Sequence, residues 1–505
     1  MNQVFCIEEL VRQIASNADD GPLGSASLLA FACWCKILED PVMDILWQRQ
    51  KYLHIILRAL PADCWTITNQ VYRLSRTPAT NEWERFRRYT ARVVELFVGK
   101  VHSGEVSSET ISFLAMRSTL DPLWPRLTSL RLTKGLGWDA VPSTLAFLSP
   151  KTTNFTLVLP RDSNILLQPI LLIASDRCHR LQELVLDVIV GDSCSAHGVG
   201  GLISACRDTL RTLEIRSPFT AEHLLIVANL PQLRNLRLEV ARFPCDLPLD
   251  AFPSLEEVTI LRFHGPRLQH FFKCLRTTSL KVVKIYGFGA IGFKKSIAAI
   301  SRFSASLRVL EISAVANLEL PSAVVPRLLF ANLTNLHVGC LRWGDGVYGP
   351  CMFRPTDEDI AELGVAIPNI THLTLGSPTC PDLRCVTFLS LVSLSKTCQD
   401  LETLVIRVDF QTMIAPSFCN NEDAEADATF DGTQGNACKL RKLVVGSSTL
   451  PIHPESGWLV AIGLGKIFPF LSEVAGYGLS LDRYKWGQVG RNIGMSRQVL
   501  RSVQR

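Results

Sequence analysis

The sequence predicts an α/β fold in which short parallel strands stack along one face and helices cover the other, behind a small all-helical domain at the amino end. Three observations carry this expectation. An apolar residue, two others, an apolar residue, one other and a final apolar residue recur thirteen times in order between Val93 and Val445, as in Leu181, Leu184 and Leu186. Stretches with helical apolar spacing separate most copies. Residues 1–50 lack the phrase and carry helical periodicity instead.

The phrase begins at Val93, Leu127, Thr152, Leu181, Leu210, Leu233, Leu255, Leu280, Leu307, Leu333, Ile370, Leu401 and Leu440, at intervals of 22 to 39 residues. Thr152 makes its copy the weakest, and a fading one follows at Leu471 and Val474. Each phrase ends in apolar/variable alternation, the period of a half-buried strand. A strand and helix repeated at such spacing cannot bury its own apolar side, so only stacking closes a core. This is the signature of a leucine-rich-repeat solenoid, with a parallel concave sheet and helices on the convex side.

Helices are expected over 165–178, 199–206, 221–229, 268–275, 297–303, 359–367, 386–397 and 459–468. Thr356 ahead of Asp357, Glu358 and Asp359 is a candidate cap, with acidic groups suited to a helix amino end. The stretch Trp83 to Tyr89 interleaves basic and aromatic residues, and reads as a helix capping the repeats.

Composition narrows the classes. At 47% hydrophobic and 20% charged residues over 505, the chain can build a large core and is too apolar to be disordered. A net charge of +5 is small for this length and gives no pointer to nucleic acid or membrane. The longest apolar stretches are too short to span a bilayer, and the first residues lack a secretory pattern, so a cytoplasmic or nuclear location is expected. Cys178, Cys206, Cys274 and Cys398 each close a helix-like segment just before the next phrase. That placement reads as small, buried, reduced core residues rather than disulfides or metal ligands. No catalytic constellation, metal site or cofactor motif stands out, and the chain is expected not to be an enzyme.

The amino-terminal helices repeat apolar residues at Ile7, Leu10, Val11 and Ile14, at Leu28, Leu29, Ala32 and Cys33, and at Val42, Ile45, Leu46 and Trp47. With Asp40-Pro41 and the following Leu60-Pro61, this segment resembles an F-box of the divergent type found ahead of leucine-rich repeats in fungal proteins. One departure stands out: Cys6-Ile7 occupies the place of the usual Leu-Pro. The resemblance implies a substrate receptor of a cullin-RING (SCF-type) ubiquitin ligase, a non-catalytic subunit docking on the Skp-type adaptor and through it a cullin. By position Ile7, Leu10, Ile14, Leu28, Leu29, Pro41 and Trp47 would supply the docking face, Pro41 as a helix-starting proline. The alternative is a repeat scaffold with no ubiquitin role, in which these residues only seal a cap.

The implied division is residues 1–50 for the F-box-like domain, 51–92 for a helical connector and cap, 93–476 for the solenoid and 477–505 for a basic tail, either a cap or a loose end. Read down the repeats, the variable residues of each strand form columns on the concave sheet, where thirteen strands would offer on the order of 60 Å of surface. Their charges are of both signs, which suits a protein target better than a phosphate polymer. Arg216, Arg237, Lys284 and Tyr286 are the candidate target contacts, against the plainer reading of salt-bridge ladders between strands. The aromatic and glycine-rich insertion 341–355 and the acidic insertion 420–436 read as loops.

Overall fold

The computed structural model describes residues 13, 24–34, 36–50, 52–99, 104–120, 122–133, 140–159, 167–187, 193–218, 221–239, 247–261, 268–288, 293–314, 330–340, 355–376, 386–410, 437–446, 448, 456–476 and 480–503. They fall into two compact units, Met1–Leu233 and Arg234–Arg505.

In the first unit the strands are β1 Arg49–Gln50, β2 Trp65–Thr68, β3 Val71–Leu74, β4 Glu95–Val98, β5 Glu105–Val106, β6 Ser129–Leu132, β7 Asn154–Val158, β8 Glu183–Asp187 and β9 Thr212–Pro218. The helices are α1 Gly24–Trp34, α2 Lys36–Gln48, α3 Leu53–Leu57, α4 Thr80–Thr90, α5 Ser108–Leu120, α6 Ala140–Thr144, α7 Leu167–Arg177, α8 Ser193–Ala205 and α9 Ala221–Ala228. Strands β1, β4, β6, β7, β8 and β9 pair side by side in that order, and every printed register among them is parallel. Leu96, Leu130, Phe155, Leu184 and Leu213 occupy equivalent positions in register and are all buried. The middle apolar residue of each phrase therefore points into the core, and α7 meets it with Leu167, Ile170, Leu171 and Ala174, one helical face.

In the second unit the strands continue as β10 Asn235–Glu239, β11 Glu257–Leu261, β12 Val282–Phe288, β13 Val309–Ala314, β14 Asn335–Cys340, β15 His372–Leu375, β16 Val386–Thr387, β17 Thr403–Val405, β18 Val408–Asp409, β19 Lys442–Val444 and β20 Glu473–Ala475. Its helices are α10 Leu268–Cys274, α11 Phe293–Ile300, α12 Asp357–Ala366, α13 Phe388–Thr397, α14 Ser456–Ile467 and α15 Ser480–Val503. Nine of the strands, β10 to β15 with β17, β19 and β20, form a parallel run, while β16 and β18 pair separately. The expected cap is present: the Thr356 hydroxyl accepts from the Asp359 N–H, and the Asp359 carboxylate accepts from the Thr356 N–H at 2.7 Å. Each of the thirteen phrases ends in a strand, and the fading copy supplies β20.

Repeated cysteines line the core as expected: Cys178, Cys206, Cys274 and Cys398 are buried and unpaired, and Cys438 joins them. The Cys206 thiol donates to the Cys178 carbonyl at 2.9 Å, and in the second unit Cys438 donates to Cys398 at 3.3 Å. A thiol is small enough for the crowded turn between helix and strand, and polar enough to satisfy the carbonyl one repeat back.

Two features depart from the sequence reading. The stretch expected as a helical connector also holds an antiparallel hairpin, β2 with β3, extended by β5. Its two-residue turn is Asn69 and Gln70, at φ 52° and 63°, the left-handed pair that matches hairpin twist. Pro41 does not start a helix: it lies inside α2, where it is buried and removes one i to i−4 hydrogen bond. The basic tail, read as a cap or a loose end, is a 24-residue helix, α15, packed on α14 and β20 through Trp486, Val489 and Ile493. The Trp486 indole N–H donates to the Ser448 carbonyl at 3.0 Å, so the open end of the second unit is closed by an aromatic plug. The acidic insertion 420–436 lies outside the described residues.

Candidate protein-binding surfaces

Two candidate surfaces stand out, one in each unit. At the amino end, α1 and α2 pack around Leu28, Leu38 and Val42, with Ala32, Ile45 and Leu46 against them. Leu28 is fully buried in this small core, whereas Leu29 turns outward and is 52% exposed. Pro41 is buried within α2, and Trp47, half-buried, packs its ring on Tyr89 of α4 with centroids 4.6 Å apart. Ile7, Leu10 and Ile14 lie outside the described residues. Of the seven nominated docking residues, then, Leu29 is placed at the surface, while Leu28, Pro41 and Trp47 are taken up by packing.

The pair is tied to the strands behind it by charge and backbone. Arg92 reaches Asp40 at 2.5 Å and Asp44 at 2.9 Å, and Arg126 adds a longer contact to Asp44 at 3.5 Å. Residues Arg49 and Gln50, directly after α2, form the edge strand β1 against β4. The helices therefore stand on the sheet rather than on a free linker.

In the second unit the variable residues of the strands line up in register. One column runs Arg237, Thr259, Lys284, Glu311, His337, Thr374 and Val405, and the next runs Glu239, Leu261, Tyr286, Ser313 and Gly339. Glu311 is their hub. The Tyr286 hydroxyl donates to its carboxylate, and Lys284 Nζ lies 3.5 Å from it. Burial, and then the bond to Glu311, push the Tyr286 phenol well above its ordinary range, so it stays a donor. Gly287, at φ 78°, allows the bulge that follows Tyr286 in the pairing of β12 with β13.

His337 sits beside Glu311 in the column, and burial lowers its pKa despite that carboxylate, leaving a neutral ring at neutral pH. A side chain at Gly339 would meet this ring at 3.1 Å, so the glycine leaves it room. Arg237, Lys284 and Tyr286 thus share one network, in which the Arg237 charge acts on the Tyr286 phenol. Arg216 is apart from them, in the first unit, paired with Glu214 on its own strand and 3.6 Å from Asp187. Ion pairs between strands are therefore present at Arg216, with Asp187, and at Lys284, with Glu311, while Tyr286 reaches Glu311 by a hydrogen bond. The sequence placed Glu311 beside Lys284 in one column, but its bond to Tyr286, whose own register neighbour is Ser313, is diagonal and does not follow from the column.

Among the described residues one cluster has the composition of a metal site, Asp63, Cys64 and Glu82. Its charge is already met: Arg76 binds Asp63 at 2.6 Å and Glu82 at 2.8 Å, and holds the Glu82 carboxyl down to about 2. Among the described residues no helix is long and apolar enough to cross a membrane.

No known family pattern matches the chain. No curated protein matches it in sequence. Among solved structures, a chain of the crystal structure of the Rad7 and Elc1 complex in yeast is similar at 11% identity and a TM-score of 0.39, covering 74% of this chain and 84% of that one. A likeness that distant carries no argument about function.

Proposed function

We propose that this chain is a substrate receptor of a cullin-RING ubiquitin ligase: the amino-terminal helices dock on a Skp-type adaptor, and the sheet faces of the repeats hold a protein target. Residues 1–50 take the adaptor, 93–476 the target, 51–92 connect the two, and 477–505 close the far end. The observation that carries the reading is Leu29, a large apolar side chain more than half exposed on a helix pair whose core, among the described residues, is only a few residues wide. A helical pair this small gains by burying such a residue in a partner. On the target side, columns of mixed charge with a tyrosine among them suit a folded protein or peptide.

A repeat scaffold without a ubiquitin role is the second reading. The packing of Trp47 on Tyr89 and the burial of Pro41 favour it, since both serve this chain's own core.

Co-purification with the Skp-type adaptor separates the two. The intact chain is expected to retain the adaptor, and Leu29→Asp to lose it while its unfolding free energy stays within about 0.5 kcal/mol of the parent's, as for an exposed position. An intact chain that retains no adaptor leaves only the scaffold.

A further inference from the structure

A cleft of about 390 Å³ opens on the sheet face over β1, β4 and β6, a size at which short ligands are held. One wall is aromatic. Phe97 stands in the variable column of β4, half-buried on the face away from the core, and Tyr52 meets it edge to face with centroids 6.4 Å apart. Tyr52 is steadied in turn by stacking on His54 at 5.5 Å.

The polar groups of the cleft are unevenly matched. Arg49 lies 3.4 Å from Glu95, and each answers the other. Arg131, the register neighbour of Phe97, is exposed and makes no ion pair among the described residues. One positive charge is therefore left beside an aromatic wall. Gln50 supplies the complementary group. It is 8% exposed, and its amide nitrogen is fixed by donation to the Leu46 carbonyl at 2.7 Å, which leaves Oε1 as the atom able to accept a bond from a ligand.

We propose that this cleft recognises a short acidic segment of a protein: a carboxylate on Arg131, the adjoining apolar side chain against Tyr52 and Phe97, and a peptide N–H on Gln50 Oε1. The carboxylate belongs to an aspartate, a glutamate or a chain end, all of which present the same planar acceptor to a guanidinium. The proposal rests on the sheet faces binding protein, and is independent of whether the helices take an adaptor.

Fluorescence anisotropy with the full chain tests it, using labelled nonapeptides of glycine and serine that carry Phe-Glu at the centre. Matched peptides carry Phe-Gln or Ala-Glu there, and a further pair ends in Phe with a free or an amidated terminus. The Phe-Glu peptide is expected to bind roughly ten-fold or more tightly than its Phe-Gln and Ala-Glu counterparts, or the free-terminus peptide than its amidated one, a charge-assisted contact plus apolar burial. Which of the two binds identifies a side chain or a chain end as the ligand. Arg131→Glu, an exposed position, is expected to abolish the preference with the circular dichroism spectrum and adaptor retention unchanged. Equal binding of acidic and neutral peptides by the chain, or an intact preference in Arg131→Glu, overturns the proposal. A chain that shows the preference but retains no adaptor keeps the cleft and loses the ligase reading.

Discussion

The buried thiols show how one residue type serves a repeat. Burial, the largest cause, pushes Cys206 up to about 11 and Cys178 up to about 12 from an ordinary 9.0. A folded-state pKa above the unfolded value gives stability that is complete below pH 9 and drains away as the pH climbs to 11 or 12. Cys206→Ala removes one titrating group along with its sulfur. It is expected to cost about 1 kcal/mol at pH 7 through lost packing, and the gap to the parent should narrow as urea midpoints are taken towards pH 11. A gap that stays constant across this range would place the thiol in solvent. This placement was legible in the sequence, because Cys178, Cys206, Cys274 and Cys398 recur at one point of the repeat. The hub at Glu311 was less so: each residue was visible in its column, but which acid serves Lys284 and Tyr286 depends on side-chain reach that spacing does not encode.

Single elements carry their own predictions. The β2–β3 turn holds Gln70 at φ 63°, where a side chain is strained and glycine is not. Gln70→Gly is therefore expected to stabilise the chain by about 0.5–1 kcal/mol despite the added freedom of the unfolded state, read as a raised urea midpoint; a lowered one would place this residue outside the left-handed region. At the other end, Trp486→Ala empties the plug that covers Phe410, whose ring centroid lies 5.1 Å away. A loss of about 3–5 kcal/mol is expected from a fully buried aromatic, against almost none if α15 were a loose tail. The hairpin escaped the sequence reading because its strands are four residues long and Asn-Gln is not the usual left-handed pair. Pro41 misled for a related reason: prolines favour the first turn of helices, whereas this one lies beyond the first turn of α2, which starts at Lys36.

At the scale of the molecule, period and alternation were enough to foretell the parallel strands, the helices between them and the buried leucines, since a strand–helix repeat has few other ways to cover its apolar side. The division of labour was legible only as an expectation, because partners leave no period in a sequence. It makes a direct demand on hydrogen exchange. With saturating Skp-type adaptor, amides in 24–34 are expected to gain protection on binding, as a helix face is covered, while amides of β10 to β14 exchange as in the free chain. Protection confined to those strands, or no change anywhere with adaptor in excess, would contradict the account.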